Sequence, residues 1–149
     1  MNTAGKLLWC RRFGQDAWQF PQGGIESDET PEQALYRELQ EETGITPSQV
    51  KLLGNTQNWL SYRIPRQYTR KKRDEVCIGQ KQIWYLLKLI DGEISFSAGQ
   101  LQSAEFDQWG WVDYWYPVDH VISFKRKVYQ QALTELEPLW SQALPAEAS

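Results

Sequence analysis

The stretch from Thr30 to Gly44 spells out both ends of one helix, and it constrains the fold more than any other part of the chain. Thr30 and Gln33 stand at capping-box spacing, and Pro31 takes the first helical position, where its missing N–H is not needed. Gly44 is placed to end the helix as a left-handed residue. A helix over residues 31–43 is expected. On it Glu38, Glu41 and Glu42 stand at i, i+3 and i+4, sharing one arc about 100° wide. Neighbouring carboxylates repel, so helix stability alone gives no reason to choose them. A hard divalent cation does, because Mg²⁺ and Mn²⁺ take oxygen ligands. Leu35 and Leu39 lie beside the arc and can anchor it in a core, while Arg37 is within reach of Glu41. Upstream, Gly23-Gly24 is a turn where backbone can approach a metal or phosphate with no Cβ in the way.

The rest of the chain alternates strands and helices without a regular βαβ rhythm. Residues 6–12 read as a buried strand and 17–20 as a short extended piece before Pro21. Residues 51–58 form a strand candidate, 63–75 a polar loop, and 80–89 the longest strand candidate. Asp91-Gly92 signals a tight turn into 93–96, residues 99–105 read as loop, and 106–112 as a further strand. A helical pattern runs over 118–137, with Val121, Phe124, Val128, Leu133 and Leu136 near one face and Pro138 at its end. Residues 144–149 form a tail expected to fray. With no repeat or linker, the expectation is one domain over 1–149 of the α/β (α+β) class, a mixed sheet with flanking helices.

Charge and cysteine usage narrow the setting. Net charge is −3, but the charges are segregated: residues 26–42 are acidic, and Arg63, Arg66, Arg70, Lys71, Lys72 and Arg73 form a basic stretch. Such a run is ordinarily a solvated face, but it also suits a loop that meets phosphates. Trp59, Tyr62 and Tyr68 beside it offer stacking surface for bases. No apolar run approaches the roughly 20 residues that cross a bilayer. Cys10 and Cys77 form neither a zinc spacing nor a disulfide framework, and read as reduced packing thiols in a cytoplasmic protein.

One larger pattern joins these features. Gly23, Glu29, Arg37-Glu38-Leu39, Glu41-Glu42 and Gly44-Ile45 are spaced so that residues 23–45 resemble the complete Nudix box. Seven demanding positions at a background near ~7% each match by chance on the order of 10⁻⁸ per starting point. The resemblance implies a Nudix α/β/α sandwich and a pyrophosphohydrolase in which Glu38, Glu41 and Glu42 ligate the metal. One box glutamate would help activate the attacking water. Residues 9–24 (WCRRFGQDAWQFPQGG), 77–82 (CIGQKQ), 105–109 (EFDQW) and 114–127 (YWYPVDHVISFKRK) extend the similarity to the bacterial RNA pyrophosphohydrolases. That family removes pyrophosphate from the 5′-triphosphate end of RNA, promoting mRNA decay, and also cleaves diadenosine polyphosphates. By this resemblance Glu105 completes the metal and catalytic site, Arg12 and Phe124 sandwich a base, Lys125 and Tyr62 contact the phosphate chain, and Gln80 lies in the same pocket. RNA 5′ ends are the implied partner of a monomer with Mg²⁺ or Mn²⁺ as cofactor.

His120, the single histidine, reads as a helix-start surface residue, which argues against histidine-based hydrolysis. Relatives carry an extra first strand with an Arg-x-Asn-Val-Gly run upstream of the Asn2-Thr3 turn, so either the start is misassigned or the chain is shortened, and its phosphate-binding arginine has no counterpart. A strand missing there would expose a sheet edge. Ala17 replaces a small hydroxyl residue found in many relatives. The competing expectations are a dinucleoside polyphosphate hydrolase and a non-catalytic module that binds RNA 5′ ends.

Overall fold

The computed structural model describes residues 1–65, 79–90 and 106–145. Strand β1 (Leu7–Arg12) pairs antiparallel with β2 (Trp18–Gln19) and along its length with β7 (Phe106–Val112). Strand β3 (Val50–Asn55) pairs antiparallel with β6 (Tyr85–Leu89), and β4 (Leu60–Arg63) with β5 (Gly79–Gln82). Met1 adds a parallel step, donating to the Leu87 carbonyl at 2.6 Å and accepting from the Leu89 N–H at 3.0 Å.

The two-residue alternation of β1 sorts its side chains between two layers. Leu7 packs with Leu133 and Leu136, and Trp9 with Val128 and Tyr129, all four partners on α3 (Arg126–Gln142). Leu8, on the opposite face, packs on the buried cluster of Ile45, Val50 and Leu89, which Tyr36 and Leu39 of α1 (Pro31–Thr43) and Trp109 and Trp111 of β7 also cover. Strands between two helical layers give the expected α+β sandwich. The aromatic residues fill the α3 side: Phe20 stacks on Tyr129 with centroids 5.2 Å apart, and Trp84 meets Tyr129 edge-on at 4.8 Å.

Helix α1 is built as its sequence dictates. Thr30 accepts from the Gln33 backbone N–H at 3.2 Å, and Gln33 accepts from the Thr30 N–H at 2.9 Å. Gly44 closes the helix at φ 77°, the left-handed region, its N–H bonded to the Gln40 carbonyl at 2.9 Å.

Four local expectations are corrected. Arg63, expected to begin a polar loop, ends strand β4 instead. The long strand over 80–89 is two strands, because β5 and β6 have different partners and Ile83-Trp84 lies in neither. At that break Trp84 donates its backbone N–H to the buried Thr56 hydroxyl at 3.1 Å, and its carbonyl accepts the Thr56 N–H at 2.8 Å. The helix over 118–137 is instead α2 (Tyr116–His120), a 3₁₀ turn (Ser123–Lys125) and α3, which continues through Pro138. A proline inside a helix costs ~3 kcal/mol or more. The turn beyond it is held by Trp140, whose indole donates to the Gly5 carbonyl at 2.8 Å and packs 4.3 Å from Tyr114. His120 ends α2 rather than starting a helix, exposed and stacked on Tyr116 at 3.6 Å.

Leu144, expected to begin a frayed tail, is half-buried near Gly5. Cys10 is fully buried, and burial followed by the nearby Glu42 charge pushes its thiol up to about 12, as fits a packing residue. The expectations for Cys77, Arg66, Tyr68, Arg70, Lys71, Lys72 and Arg73, for the 91–105 segment and for the tail's last residues lie outside the described residues. No helix among the described residues is long and apolar enough to cross a membrane.

Candidate active site

The box segment folds around Arg37. Its guanidinium grips Glu29 with two bonds, Nε to Oε2 at 2.6 Å and Nη2 to Oε1 at 2.8 Å. Nη2 also donates to the Gly24 carbonyl at 2.9 Å, and Nη1 donates to Glu38 at 2.7 Å and Glu41 at 3.3 Å. One planar, always-charged fork therefore fastens the loop after Gly23 to the helix. Hydrogen bonding to Arg37, then to the Glu26 N–H, lowers the Glu29 carboxyl to about 2. The expected pairing of Arg37 with Glu41 is present, but its tightest partner is Glu29, eight residues back, where helical spacing gives no signal.

Gly23 has a second, steric role. A Cβ built there would overlap the carboxyl carbon of Glu38, so the absent side chain is the space this carboxylate occupies. Glu42 is 4% exposed, and Glu41, on the outer side, is exposed. All three offer only carboxylate oxygen on one arc, the donor chemistry that suits a hard divalent cation. Among the described residues no three acidic, histidine or cysteine side chains already converge as a metal cage. Glu38 and Glu41 turn instead toward Arg37. The donor set fits in kind, since Arg37 holds only one oxygen of each of these two carboxylates. Glu105 lies outside the described residues.

The other candidates, far apart in sequence, meet at the end of β4. The Tyr62 hydroxyl donates to Gln80 at 2.7 Å, its ring lies 5.8 Å from Phe124, and the Lys125 ammonium sits 5.6 Å over it. Lys125 also donates to the buried Gln19 at 3.4 Å. Arg12 is exposed and acts on Lys125 as a neighbouring positive charge. Burial first, and Arg12 second, push the Lys125 ammonium down to about 8.

The acidic helix opens on a cavity of about 650 Å³ lined by Gly23, Glu38, Glu42 and the exposed Trp59, and from the second cluster Gln80, the partner of Tyr62, lines it too. The Glu38 and Glu42 carboxylates, the Gln80 amide and the Trp59 ring on one cavity suit a phosphorylated ligand that also carries a flat base.

Residues 1–134 match the NUDIX domain family. The chain is 58% identical over 135 residues to the RNA pyrophosphohydrolase of Halorhodospira halophila, covering 91% of this chain and 74% of that one. It is 54% identical over 138 residues to the RNA pyrophosphohydrolase of Alkalilimnicola ehrlichii, covering 93% and 76% respectively. The fold is similar to that of the E. coli dihydroneopterin triphosphate pyrophosphohydrolase, with a TM-score of 0.68 at 23% identity over 88% of this chain and 87% of that one. It is also similar to a C. elegans Ap4A hydrolase, with a TM-score of 0.58 at 18% identity over 89% and 88%.

Proposed function

The chain belongs to the Nudix family, and on that premise we propose that it is an RNA pyrophosphohydrolase, hydrolysing the α–β anhydride of a 5′-triphosphorylated RNA to pyrophosphate and a 5′-monophosphate end. The single observation that carries this reading is the shared cavity: Glu38 and Glu42 line the same space as Gln80, the hydrogen-bond partner of Tyr62. An RNA 5′ end needs both, a place for its phosphates and a surface for its first bases. By this reading the monophosphorylated product promotes mRNA decay in the cytoplasm, and the enzyme acts as a monomer.

The family uses divalent metal ions, and we assign Mg²⁺, with Mn²⁺ as substitute, to Glu38, Glu41, Glu42 and Glu105. A cation bound there supplies neutralisation of phosphate charge and a water of lowered pKa. The chain's own residues do the positioning. Arg37 fixes the loop against the helix, Gly23 leaves the Glu38 carboxylate its space, and Arg12 and Phe124 offer planes on which a base can stack. Lys125 and Tyr62 meet the phosphate chain, with Gln80 in the same pocket.

With Mg²⁺ the purified protein is expected to release pyrophosphate from 5′-triphosphorylated RNA, and Glu41→Gln to slow that release by on the order of 10²-fold. If wild type releases none, or Glu41→Gln matches it, the reading fails. Intact box glutamates argue against a purely binding role. Relative kcat/KM on this RNA and on diadenosine polyphosphate decides substrate preference.

Lys125 gives the site a pH dependence. Its cationic form favours phosphate and is lost as pH rises through about 8, so KM for the RNA is expected to rise above that pH. Stability runs the other way. The cost of burying the charge is full below the folded value of about 8 and fades toward the unfolded 10.5. Lys125→Met should therefore melt at a higher temperature at pH 7, with KM raised about tenfold and flat from pH 7 to 9. A KM in Lys125→Met that still climbs with pH would assign the titration to another group.

A further inference from the structure

Between the aromatic core and the acidic helix runs a short hydrogen-bonded chain whose direction is set by chemistry. The Trp84 indole N–H, which can only donate, gives its proton to the Gln82 side-chain oxygen at 3.1 Å. With that oxygen engaged, Gln82 uses its NH₂ to donate to the Gln22 side-chain oxygen at 3.1 Å. Gln22 in turn has its NH₂ left to offer to the cavity, which it lines next to Gly23 and Glu38. An indole at one end thus dictates a donor at the other.

The segment carrying Gln22 is held on both sides. Phe20 is locked in the core against Tyr129 and Trp84, and its N–H donates to the Tyr129 hydroxyl at 3.3 Å. Gly24 is tied through its carbonyl to Arg37 at 2.9 Å. Trp84 is itself pinned to Thr56, its carbonyl accepting the Thr56 N–H at 2.8 Å and its N–H donating to the Thr56 hydroxyl at 3.1 Å. A donor held between fixed points loses little freedom when it meets an acceptor. Phosphate oxygens accept only, so a neutral NH₂ of fixed polarity beside the carboxylates suits them. It attracts phosphate without drawing the metal-binding glutamates into ion pairs, as a further arginine would.

We propose that Gln22 is a substrate-binding residue that donates to a phosphate oxygen of the RNA 5′ end, and that Gln82 is the positioning residue that fixes its polarity. This rests on the function proposed above. The test is steady-state kinetics on 5′-triphosphorylated RNA with Mg²⁺, alongside thermal unfolding of each variant. Gln22→Met, which keeps length but has no donor, is expected to raise KM about tenfold with kcat and melting temperature nearly unchanged. Gln82→Glu still accepts from Trp84 but can no longer donate, so the Gln22 amide turns and presents its oxygen to the cavity. Its KM should rise as far as that of Gln22→Met. In the double variant Gln22→Met/Gln82→Met KM should not exceed that of Gln22→Met, because Met at this cavity-lining position adds no charge to repel phosphate and Gln82 acts through Gln22. An unchanged KM in Gln22→Met overturns the proposal, as does a KM in the double variant above that of Gln22→Met. Should Gln82→Glu fail to fold, Gln22→Met alone decides. Wild type that releases no pyrophosphate defeats the functional reading itself, whereas active wild type with an unaffected Gln22→Met defeats only this inference.

Discussion

Gly23→Ala is expected to lower kcat/KM on 5′-triphosphorylated RNA by on the order of 10²-fold while leaving the melting temperature within a few degrees of wild type. The added methyl would occupy the space of the Glu38 carboxyl group. Gly23 is not among the glycines held at positive φ, so a methyl there adds no left-handed backbone strain. The collision is relieved at one of two places. Either the Glu38 side chain swings away from Arg37 at 2.7 Å, or the loop shifts and strains the Arg37 bonds to Gly24 and Glu29. Both movements displace a carboxylate proposed to ligate metal, and misplacement by about 1 Å can cost 10²-fold. Neither opens the core. Gly24→Ala is the control, since a Cβ there meets open space and should change kcat/KM less than about twofold. Equal losses in the two variants would mean that the glycines serve loop flexibility rather than room for Glu38.

The helix bearing these carboxylates was legible because its signals are local. A capping box, a proline at the first position and a terminal glycine each act within a few residues, and all three appear where the spacing puts them. Where pairing at a distance decides, local pattern runs out. Nothing in the apolar run over 80–89 announces that Thr56, far upstream, bonds Trp84 and that the two halves join different strands. Pro138 is a valid stop signal overruled by the anchoring of Trp140 on Gly5.

The site divides the same way. Glu38, Glu41 and Glu42 are visible as an arc because they share one helix. Arg12, Tyr62, Phe124 and Lys125 share no periodicity, and could be grouped beforehand only through resemblance to a family. The fold then brings Phe124 and Lys125 within 6 Å of the Tyr62 ring. Gln22 and Gln82 are not legible in the sequence, because a glutamine in isolation carries no signal. Their meaning comes from an indole N–H whose only role is to donate.

Glu42→Gln separates the two demands placed on α1, and is expected to reduce turnover by on the order of 10³-fold while making the metal-free protein more stable. A carboxylate 4% exposed has given up most of its hydration, a cost of charge that the neutral amide does not carry. It stands one turn from Glu38 and beside Glu41, so repulsion adds to that penalty. The charge of Glu42 is felt as far as the Cys10 thiol, which it helps to raise. The isosteric amide removes charge and repulsion together, and metal-free Glu42→Gln should melt a few degrees above wild type. Adding Mg²⁺ reverses the order. Cation binding to the native state at about 100 times its Kd adds ~2.7 kcal/mol to wild type, whereas Glu42→Gln lacks one charged oxygen donor and should gain much less. Melting curves with and without Mg²⁺ measure this without reference to turnover. A metal-free Glu42→Gln less stable than wild type would show that Glu42 serves the fold. An equal Mg²⁺ shift in both proteins would remove Glu42 from the metal site even if activity fell.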